Sequence, residues 1–358
     1  EVPKPFIEAD NQVLVKVLYA GICGTDRNMI NYDEKDFPPG EDFLILGHEA
    51  VGRAEAVGPG VKTVEPGDIV VPTVRRGCGQ CACCLNGQSD MCCTGLYRER
   101  GIHKLHGYFT EYFADEEEYL VKVPPGLDDI AVLTEPLSIS EKAISELHTL
   151  QLRVPWLYRH REHEPGTKEW GHDKIALVIG AGPIGLLGTA LLRLGNAETH
   201  VIEIVGEKHI KVQLIRELEA HYIDGRGKTA EDIVAKSGNP DIILEASGAS
   251  QLALNLIPTL ARNGVYILAG IPRGEGEVRV DGNLILRQIV RSNHLIIGSL
   301  NSNREHFVAA LHDMAKLRDS YSSVLDKVIT HRYSLLDYQE AFKSKGTSEL
   351  KVIFDMEQ

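Results

Sequence analysis

The sequence feature that most restricts the fold is a glycine-rich turn, Gly180-Ala181-Gly182-Pro183-Ile184-Gly185. It directly follows an apolar run over residues 174–180, which predicts a strand buried on both faces. The G-x-G-x-x-G spacing between such a strand and an apolar helix predicts a dinucleotide-binding turn. Gly180 permits the tight turn, Gly182 admits the pyrophosphate, and Gly185 lets the helix pack closely. A purely structural glycine turn is the alternative interpretation.

The alternation of strand and helix continues downstream of this turn. Further strands are predicted at residues 199–204, 221–223, 241–245, 264–270 and 294–298. Helices are predicted between most of them, for example over residues 250–261. Six strands joined by crossovers predict an α/β fold with a doubly wound parallel sheet.

Glu203 bears on the choice of cofactor. It lies near the end of the second predicted strand, 18 residues after Gly185, where an acidic side chain would bond the ribose hydroxyls of adenosine. A carboxylate there would repel a 2′-phosphate, and no Arg occurs at residues 204–207, so that Lys208 and His209 are the nearest cations. We therefore expect NAD to be favoured, with NADP possible. An exposed strand residue without a role is the alternative.

The cysteines indicate metal rather than disulfides. Six of the seven lie between residues 78 and 93, too close together for several to pair without strain. Four thiolates in C-x2-C-x2-C-x7-C spacing predict a structural zinc in a lobe over residues 77–93; they are Cys78, Cys81, Cys84 and Cys92. Cys83 and Cys93 are not assigned to this zinc and are expected to be free thiols. Redox-active thiols, surface thiols and an iron–sulfur cluster are the alternative interpretations. Clustered free thiols also predict a cytoplasmic protein, because thiols stay reduced there.

A second group of metal-ligand side chains occurs in the β-rich first part of the chain. Cys23 follows an alternating run over residues 13–19, and His48 and Glu49 follow the apolar run 44–46. We expect strands to carry these side chains to loops. A thiolate, an imidazole and a carboxylate are ligands typical of a catalytic zinc with an open position. A lone histidine after a strand is more often a hydrogen-bonded core residue.

The composition narrows the classes of partner. A length of 358 residues suggests two domains, and 51 acidic against 38 basic side chains give a net charge of −13. That charge argues against nucleic acid or an anionic membrane as a partner. No apolar run reaches the length of a membrane span. We expect residues to precede Glu1, since no initiator Met is present, and an exposed polar connector over residues 151–172, including Arg159–Glu164.

Several segments together resemble the zinc-containing medium-chain alcohol dehydrogenases. They are residues 21–26, residues 47–49, the cysteine lobe, residues 134–137 and the glycine turn. Within that family the chain is most similar to archaeal-type glucose dehydrogenases, through residues 70–78, 99–104 and 300–302. The resemblance covers nearly the whole chain. It implies a β-rich GroES-like catalytic domain, residues 1–150 and 303–358, and a Rossmann cofactor domain, residues 151–302.

The resemblance also implies roles for individual residues. The implied ligands of the catalytic zinc are Cys23, His48 and Glu135, with Glu49 either a further ligand or a base beside them. The implied substrate contacts are Thr25, Glu99, Glu135 and Asn301, and Thr25 would also pass on the proton of the substrate hydroxyl. The predicted cofactor contacts are Gly180, Gly182, Pro183, Ile184, Gly185, Glu203, Ser247, Ala269, Ile271 and Leu300.

Such an enzyme uses zinc as a Lewis acid to acidify a sugar hydroxyl, most simply the 1-hydroxyl of glucose, while the nicotinamide takes up the hydride. The expected products are the lactone and the reduced cofactor, with about two zinc ions bound per chain and water excluded by closure of the domain cleft. A polyol or L-threonine dehydrogenase, or a catalytically silent relative that binds cofactor, are the alternatives. We expect a homodimer or homotetramer.

Overall fold

The computed structural model describes residues 2–31, 36–158, 170–272, 274, 276–321, 323–343, 346 and 348–357. The strands are β1 Gln12–Ile22, β2 Glu49–Val57, β3 Ile69–Pro72, β4 Arg75–Arg76, β5 Arg98–Arg100, β6 Lys104–Leu105, β7 Tyr112–Glu116, β8 Leu120–Lys122, β9 Ile175–Ile179, β10 Glu198–Glu203, β11 His221–Asp224, β12 Ile242–Glu245, β13 Val265–Leu268, β14 Leu295–Gly298, β15 Ile329–Tyr333 and β16 Lys351–Asp355.

The α-helices among these residues are α1 Gly24–Asn31, α2 Ala82–Leu85, α3 Thr134–Gln151, α4 Pro155–Tyr158, α5 Pro183–Leu194, α6 Ile210–Glu217, α7 Ala230–Ser237, α8 Ser250–Leu256, α9 Gly282–Ser292, α10 Arg304–Ser320, α11 Val324–Val328 and α12 Tyr338–Phe342. Within the described ranges, no helix combines the length and the apolar character that crossing a bilayer requires.

The chain divides into two compact units, residues 1–138 with 301–358 and residues 139–300. The first boundary therefore lies earlier than the predicted residue 150. It falls inside α3, whose apolar spacing gave no sign of a boundary within the helix. Of the predicted polar connector, the charged run Arg159–Glu164 lies outside the described residues.

A seven-stranded sheet forms the body of the first unit. Its order is β15-β16-β1-β2-β3-β8, and β7 also pairs with β1. The long strand β1 is irregular against β2 at two places, between Leu14 and Val15 and between Val17 and Tyr19, and such bulges bend and twist a strand. The C-terminal strand β16 pairs antiparallel with β1, so the predicted return of the chain end to the first domain is confirmed.

One predicted strand of this unit is wrong. Residues 44–46 do not form a strand, and β2 begins only at Glu49. The backbone oxygens of residues 45–47 accept hydrogen bonds from the N–H groups of the loop 107–109, which takes the place of a strand partner. Gly47 then turns the chain with a φ of 91°, which ends any extended run. His48 and Glu49 therefore stand at the start of a strand, not after one.

The second unit contains a six-stranded parallel sheet with the order β11-β10-β9-β12-β13-β14. All six predicted strands of this sheet are confirmed, and the helix predicted after the glycine turn is α5. The chain order reverses between β9 and β12, which neighbour each other. In such sheets ligands bind outside the carboxyl ends of the strands at the switch point.

Candidate functional site

The first unit brings Cys23, His48 and Glu49 together. One donor atom from each of the three side chains lies within 4.8 Å of the others. The antiparallel pairing of β1 and β2 causes this, since Gly21 is the register partner of Glu49 and Cys23 follows β1 directly. A Cβ on Gly21 would overlap the Glu49 carboxylate, so a larger residue there would displace this carboxylate. A thiol, an imidazole and a carboxylate are donor types that zinc binds, and Cys23 and His48 lie close enough together to share one ion.

Asp26 lies beneath this cluster and is fully buried. It accepts hydrogen bonds from the N–H groups of Cys23 (2.7 Å) and Gly47 (3.2 Å), and its Oδ1 lies 3.3 Å from His48 Nδ1. A carboxylate facing one ring nitrogen orients a histidine so that its other nitrogen can bind metal. Burial alone would lower the pKa of His48, but Asp26 and Cys23 raise it well above its usual value.

Glu49 forms a buried ion pair with Lys351. The Lys351 Nζ lies 2.7 and 2.5 Å from the two Glu49 carboxylate oxygens, and the side chains are 2% and 1% exposed. Burial alone would lower the pKa of Lys351, but Glu49 and Cys23 raise it. Sequence reasoning missed both Asp26 and Lys351. The signals were present: Asp26 is in the segment of Cys23, and Lys351 directly precedes the apolar run 352–354.

Glu135 and Thr25 lie near the cluster without being part of it. Glu135 is in the first turn of α3 and does not join the three donors within 4.8 Å. Burial is the main reason why the pKa of Glu135 is raised to about 7. The charge of Glu49 raises this pKa further, whereas His48 and Lys351 lower it. The Thr25 hydroxyl lies 3.9 Å from Cys23 Sγ and is partly exposed. The Thr25 hydroxyl therefore lies beside one donor of the cluster, and the Glu135 carboxyl interacts electrostatically with His48 and Glu49.

Glu99 and Asn301, the two predicted sugar contacts, meet each other. The Asn301 Nδ2 donates to Glu99 Oε1, and the Arg75 guanidinium donates to the same oxygen at 3.0 and 2.9 Å. Asn301 is held at a φ of 64°. Gly101, two residues after Glu99, packs so closely on Gly47 that a Cβ there would overlap the Gly47 backbone. Glu99 is therefore near the segment that carries His48. Arg75 was not assigned a role from the sequence.

The cysteine lobe has the geometry of a closed metal site. The Sγ atoms of four cysteines lie within 4.8 Å of one another, and they are Cys78, Cys81, Cys84 and Cys92. The Sγ atoms of Cys78 and Cys84 are 3.8 Å apart. Four thiolates at about 2.3 Å from a tetrahedral zinc are separated by roughly 3.8 Å, so this spacing fits the ion.

Hydrogen-bond donors of the lobe favour the thiolate at two of the four cysteines, whereas burial and the Cys81 side chain raise the pKa of Cys84 to about 12. N–H groups of Cys84 and Cys93 lower the pKa of Cys81 to about 5, and the Thr94 hydroxyl lowers that of Cys92 to about 7. The N–H groups of Cys81 and Cys84 approach the preceding sulfurs, Cys78 Sγ and Cys81 Sγ, at 3.4 and 3.5 Å. Cys83 and Cys93 are not part of the four-sulfur group.

The glycine turn of the second unit has the conformation that its spacing predicts. Gly180 has a φ of 93°, a region that L side chains rarely adopt. Apart from Gly182 and its two chain neighbours, no atom of the described residues lies within 4 Å of the place where a Cβ on Gly182 would be, so that edge of the turn is open. A Cβ on Gly185 would overlap the Gly180 carbonyl oxygen. Pro183 and Ile184 open α5, and the turn leaves space for a phosphate at the N-terminus of this helix.

Glu203 ends β10 and its carboxylate is already engaged. It accepts from the N–H groups of Ala181 (3.1 Å) and Ile204 (2.8 Å), and Lys211 Nζ lies 2.7 Å from Oε2. Burial alone would raise the pKa of Glu203, but Lys211 and these N–H groups lower it. Sequence reasoning considered Lys208 and His209 and missed Lys211, which is one helical turn further on. Lys211 offsets the negative charge on which the predicted repulsion of a 2′-phosphate depended.

The remaining predicted cofactor residues lie along the carboxyl edge of the same sheet. Ser247 follows β12, and its N–H and hydroxyl both donate to the buried Glu245, at 2.8 and 2.6 Å. A Cβ on Gly180 would come within 2.8 Å of Ser247 Cβ, which places Ser247 beside the turn. Ala269 follows β13, and its N–H donates to the backbone oxygen of Glu245. Ile271 and Leu300 are 64% and 59% exposed, as apolar surfaces available to a ligand.

The fold and the site define a medium-chain dehydrogenase of the zinc type. A model of the alcohol dehydrogenase GroES-like domain matches residues 9–125, and a model of the glucose dehydrogenase C-terminus matches residues 128–356. The chain belongs to the glucose dehydrogenases of the alcohol dehydrogenase family.

Curated relatives support this over the full length. The chain is 39% identical to glucose 1-dehydrogenase 1 of Caldivirga maquilingensis, over 99% of this chain and 93% of that one. It is also 39% identical to glucose 1-dehydrogenase of Thermoproteus tenax, over 96% and 91% of the two chains. Among solved structures, Haloferax mediterranei glucose dehydrogenase in complex with NADP, Zn and gluconolactone superposes with a TM-score of 0.86 at 33% identity, covering 99% and 95% of the chains.

Proposed function

We propose that this chain is a zinc-dependent glucose 1-dehydrogenase, which oxidises C1 of an aldose to the lactone with reduction of NAD(P). The observation that carries the proposal is the convergence of Cys23, His48 and Glu49 above Asp26. The names of the relatives and the lactone in the Haloferax mediterranei complex support a sugar as substrate. Zinc, when bound, supplies a Lewis acid that lowers the pKa of the sugar hydroxyl, and NAD(P) accepts the hydride.

We propose Cys23, His48 and Glu135 as the ligands of the catalytic zinc. Glu49 then acts beside them, because Lys351 offsets its charge and occupies both of its oxygens. One thiolate, one carboxylate and a neutral imidazole balance the two charges of the ion, whereas a third anionic ligand would weaken its Lewis acidity. The four cysteines of the lobe are proposed to hold a second, structural zinc, giving about two ions per chain.

The sugar contacts follow from the cluster around Glu99. Arg75 and Asn301 hold the Glu99 carboxylate, so it accepts hydrogen bonds in a fixed direction. A fixed acceptor can hold a hydroxyl donor with little further loss of conformational freedom. Thr25 is proposed to accept the proton of the 1-hydroxyl and to pass it on, since its hydroxyl lies beside Cys23 and is partly exposed.

The cofactor choice is proposed to include NADP. The predicted preference for NAD is not supported by the comparisons, since the structurally similar Haloferax mediterranei enzyme holds NADP. Lys211 supplies the physical reason: it pairs with Glu203 and can donate to a 2′-phosphate while it reduces the repulsion from that carboxylate. Glu203 would remain an acceptor for the ribose hydroxyls of NAD.

A homodimer or homotetramer is proposed from an apolar surface of the second unit. Among the described residues, β14 is an edge strand that pairs only with β13. Leu286 and Val290, one turn apart on α9, are 64% and 76% exposed. Covering such a stripe favours association, and light scattering of the purified protein measures the mass.

A cytoplasmic location is proposed as well, since free thiols persist in reducing compartments.

A substrate panel tests the proposed function. Aldoses, polyols and L-threonine are each assayed with NAD and with NADP on zinc-loaded protein. Oxidation of glucose supports the proposal. Activity confined to polyols or L-threonine would instead identify a different dehydrogenase on the same fold, and binding of cofactor without turnover of any of them would identify a silent relative.

A further inference from the structure

A group of two histidines and a glutamate lies on the second unit, apart from the predicted cofactor residues. The residues are Glu198, His200 and His221, with one donor atom from each within 4.8 Å of the other two. Glu198 and His221 are exposed, whereas His200 is 6% exposed. The proposed catalytic and structural zinc sites, by contrast, both lie in the first unit.

The sheet itself builds this arrangement. His200 and His221 are register partners on the neighbouring parallel strands β10 and β11. Glu198 precedes His200 by two residues, and alternate residues of a strand project from the same face. The two imidazole rings have centroids 4.8 Å apart, which confirms that they share a face.

The distances within the group suit a metal ion. His200 Nε2 lies 3.0 Å from Glu198 Oε1. Two donors that bind one ion at about 2.1 Å are separated by roughly 3.0 Å at the right angles of a six-coordinate ion and by roughly 3.4 Å around a tetrahedral ion. Two imidazoles and one carboxylate favour late first-row ions such as Zn²⁺ or Co²⁺ over Mg²⁺ and Ca²⁺, which prefer oxygen.

We propose that Glu198, His200 and His221 form a third divalent transition-metal site, with water completing the coordination. A bound ion would link β11, at one edge of the sheet, to β10. Along β10, the proposed metal site lies at the opposite end of the strand from Glu203, which belongs to the predicted cofactor edge of the sheet. Glu198 and Glu203 are the first and last residues of β10, and five steps of about 3.3 Å separate them by roughly 16 Å.

The same contacts can also be interpreted as direct interactions between the three side chains, which predicts that no metal ion binds there. His200 would simply hydrogen-bond to Glu198, and the His221 ring would pack beside the His200 ring at a tilt, as their geometry also allows. Such a group would not bind metal with defined stoichiometry. The two interpretations therefore differ in the number of ions that the zinc-loaded protein takes up.

The experiment titrates the full-length, zinc-loaded protein with Co²⁺, using calorimetry and metal analysis after desalting. One further equivalent per chain is expected for the wild type. His221→Ala should lose this equivalent and Glu198→Gln should weaken its binding at least tenfold, while both keep wild-type activity. His312→Ala removes another exposed histidine, on α10, and should bind as the wild type does.

The spectrum separates this site from metal exchange at the cysteines. Co²⁺ on two imidazoles and a carboxylate should give weak visible bands without the strong near-ultraviolet absorption of thiolate–cobalt bonds. The proposal is overturned if the wild type takes up no further equivalent, if His221→Ala and Glu198→Gln both bind as the wild type does, or if the added ion shows thiolate absorption.

Discussion

Lys351 Nζ lies within 2.7 Å of both carboxylate oxygens of Glu49, and the two side chains are almost completely buried. The two residues are far apart in the sequence and meet because β16 and β2 flank β1 in one sheet. The pair places a compensated negative charge directly beside the proposed catalytic metal.

Replacing Lys351 by Met should destabilise the protein strongly. The change leaves Glu49 buried without its cation, which costs about 3–5 kcal/mol when one partner of a buried pair is removed. Unfolding by denaturant measures the loss. Lys122→Met removes an exposed partner of Asp68 and should cost less than about 1 kcal/mol. The double variant Glu49→Gln, Lys351→Met should recover much of the lost stability. If Lys351→Met and Lys122→Met lowered the free energy of unfolding equally, the Glu49–Lys351 pair would not be an important interaction.

The cysteine lobe makes a prediction that contrasts two neighbouring residues. Cys84 is in the four-sulfur group and Cys83 is not. Cys84→Ser should lose about one zinc per chain and lower the melting temperature, because the lobe depends on its metal. Cys83→Ser should retain both the zinc and the stability. Metal analysis and thermal unfolding compare them, and identical behaviour would refute this ligand assignment.

Lys211 should govern the use of NADP. Lys211→Ala removes the proposed phosphate donor and leaves the charge of Glu203 without its cation, so KM for NADP should rise at least tenfold, as expected for about 1.5–3 kcal/mol of charge-assisted bonding. KM for NAD should change little. Lys208→Ala, three residues away, is the matched control. An unchanged ratio of the two KM values in Lys211→Ala would place the phosphate elsewhere.

The buried carboxylate of Asp115 should make stability depend on pH. Burial alone would raise the pKa of Asp115, but Arg100 and Arg76 hold it below the ordinary value. Its contribution is therefore complete above the unfolded pKa, about 3.9, and is lost as pH falls through the lower folded value. Asp115→Asn should be much less stable than the wild type at pH 7.

The stability difference between wild type and Asp115→Asn should narrow as the pH falls below about 4. Denaturant unfolding at several pH values measures it, with the exposed Asp42→Asn as control. A difference that stays constant with pH would show that Asp115 is not held as an ion.

Much of the second unit could be predicted because local patterns determine it. The apolar runs and the glycine spacing predicted all six strands and α5. The strand predicted before His48 failed for a non-local reason, since residues 45–47 bond to the loop 107–109, which no pattern near His48 indicates.

The candidate site shows the same limit. Its donor types and loops were visible in the sequence, and Cys23, His48 and Glu49 do meet. Which charged residues pair across elements could not be predicted: Lys351 comes from the last strand, and Lys211 from the helix after β10. Lys211 changed the expected cofactor preference, because the charge of Glu203 cannot be judged without knowing what it pairs with.

The measurement that tests the central claim most directly is hydride transfer from glucose deuterated at C1. The zinc-loaded enzyme is incubated with this sugar and NADP, and in parallel with NAD, and the products are analysed by mass spectrometry. The account predicts gluconolactone or its hydrolysis product, gluconate, together with deuterium on the nicotinamide ring, and no turnover in His48→Ala. Turnover without deuterium on the cofactor, or no turnover of any aldose with either cofactor, would contradict it.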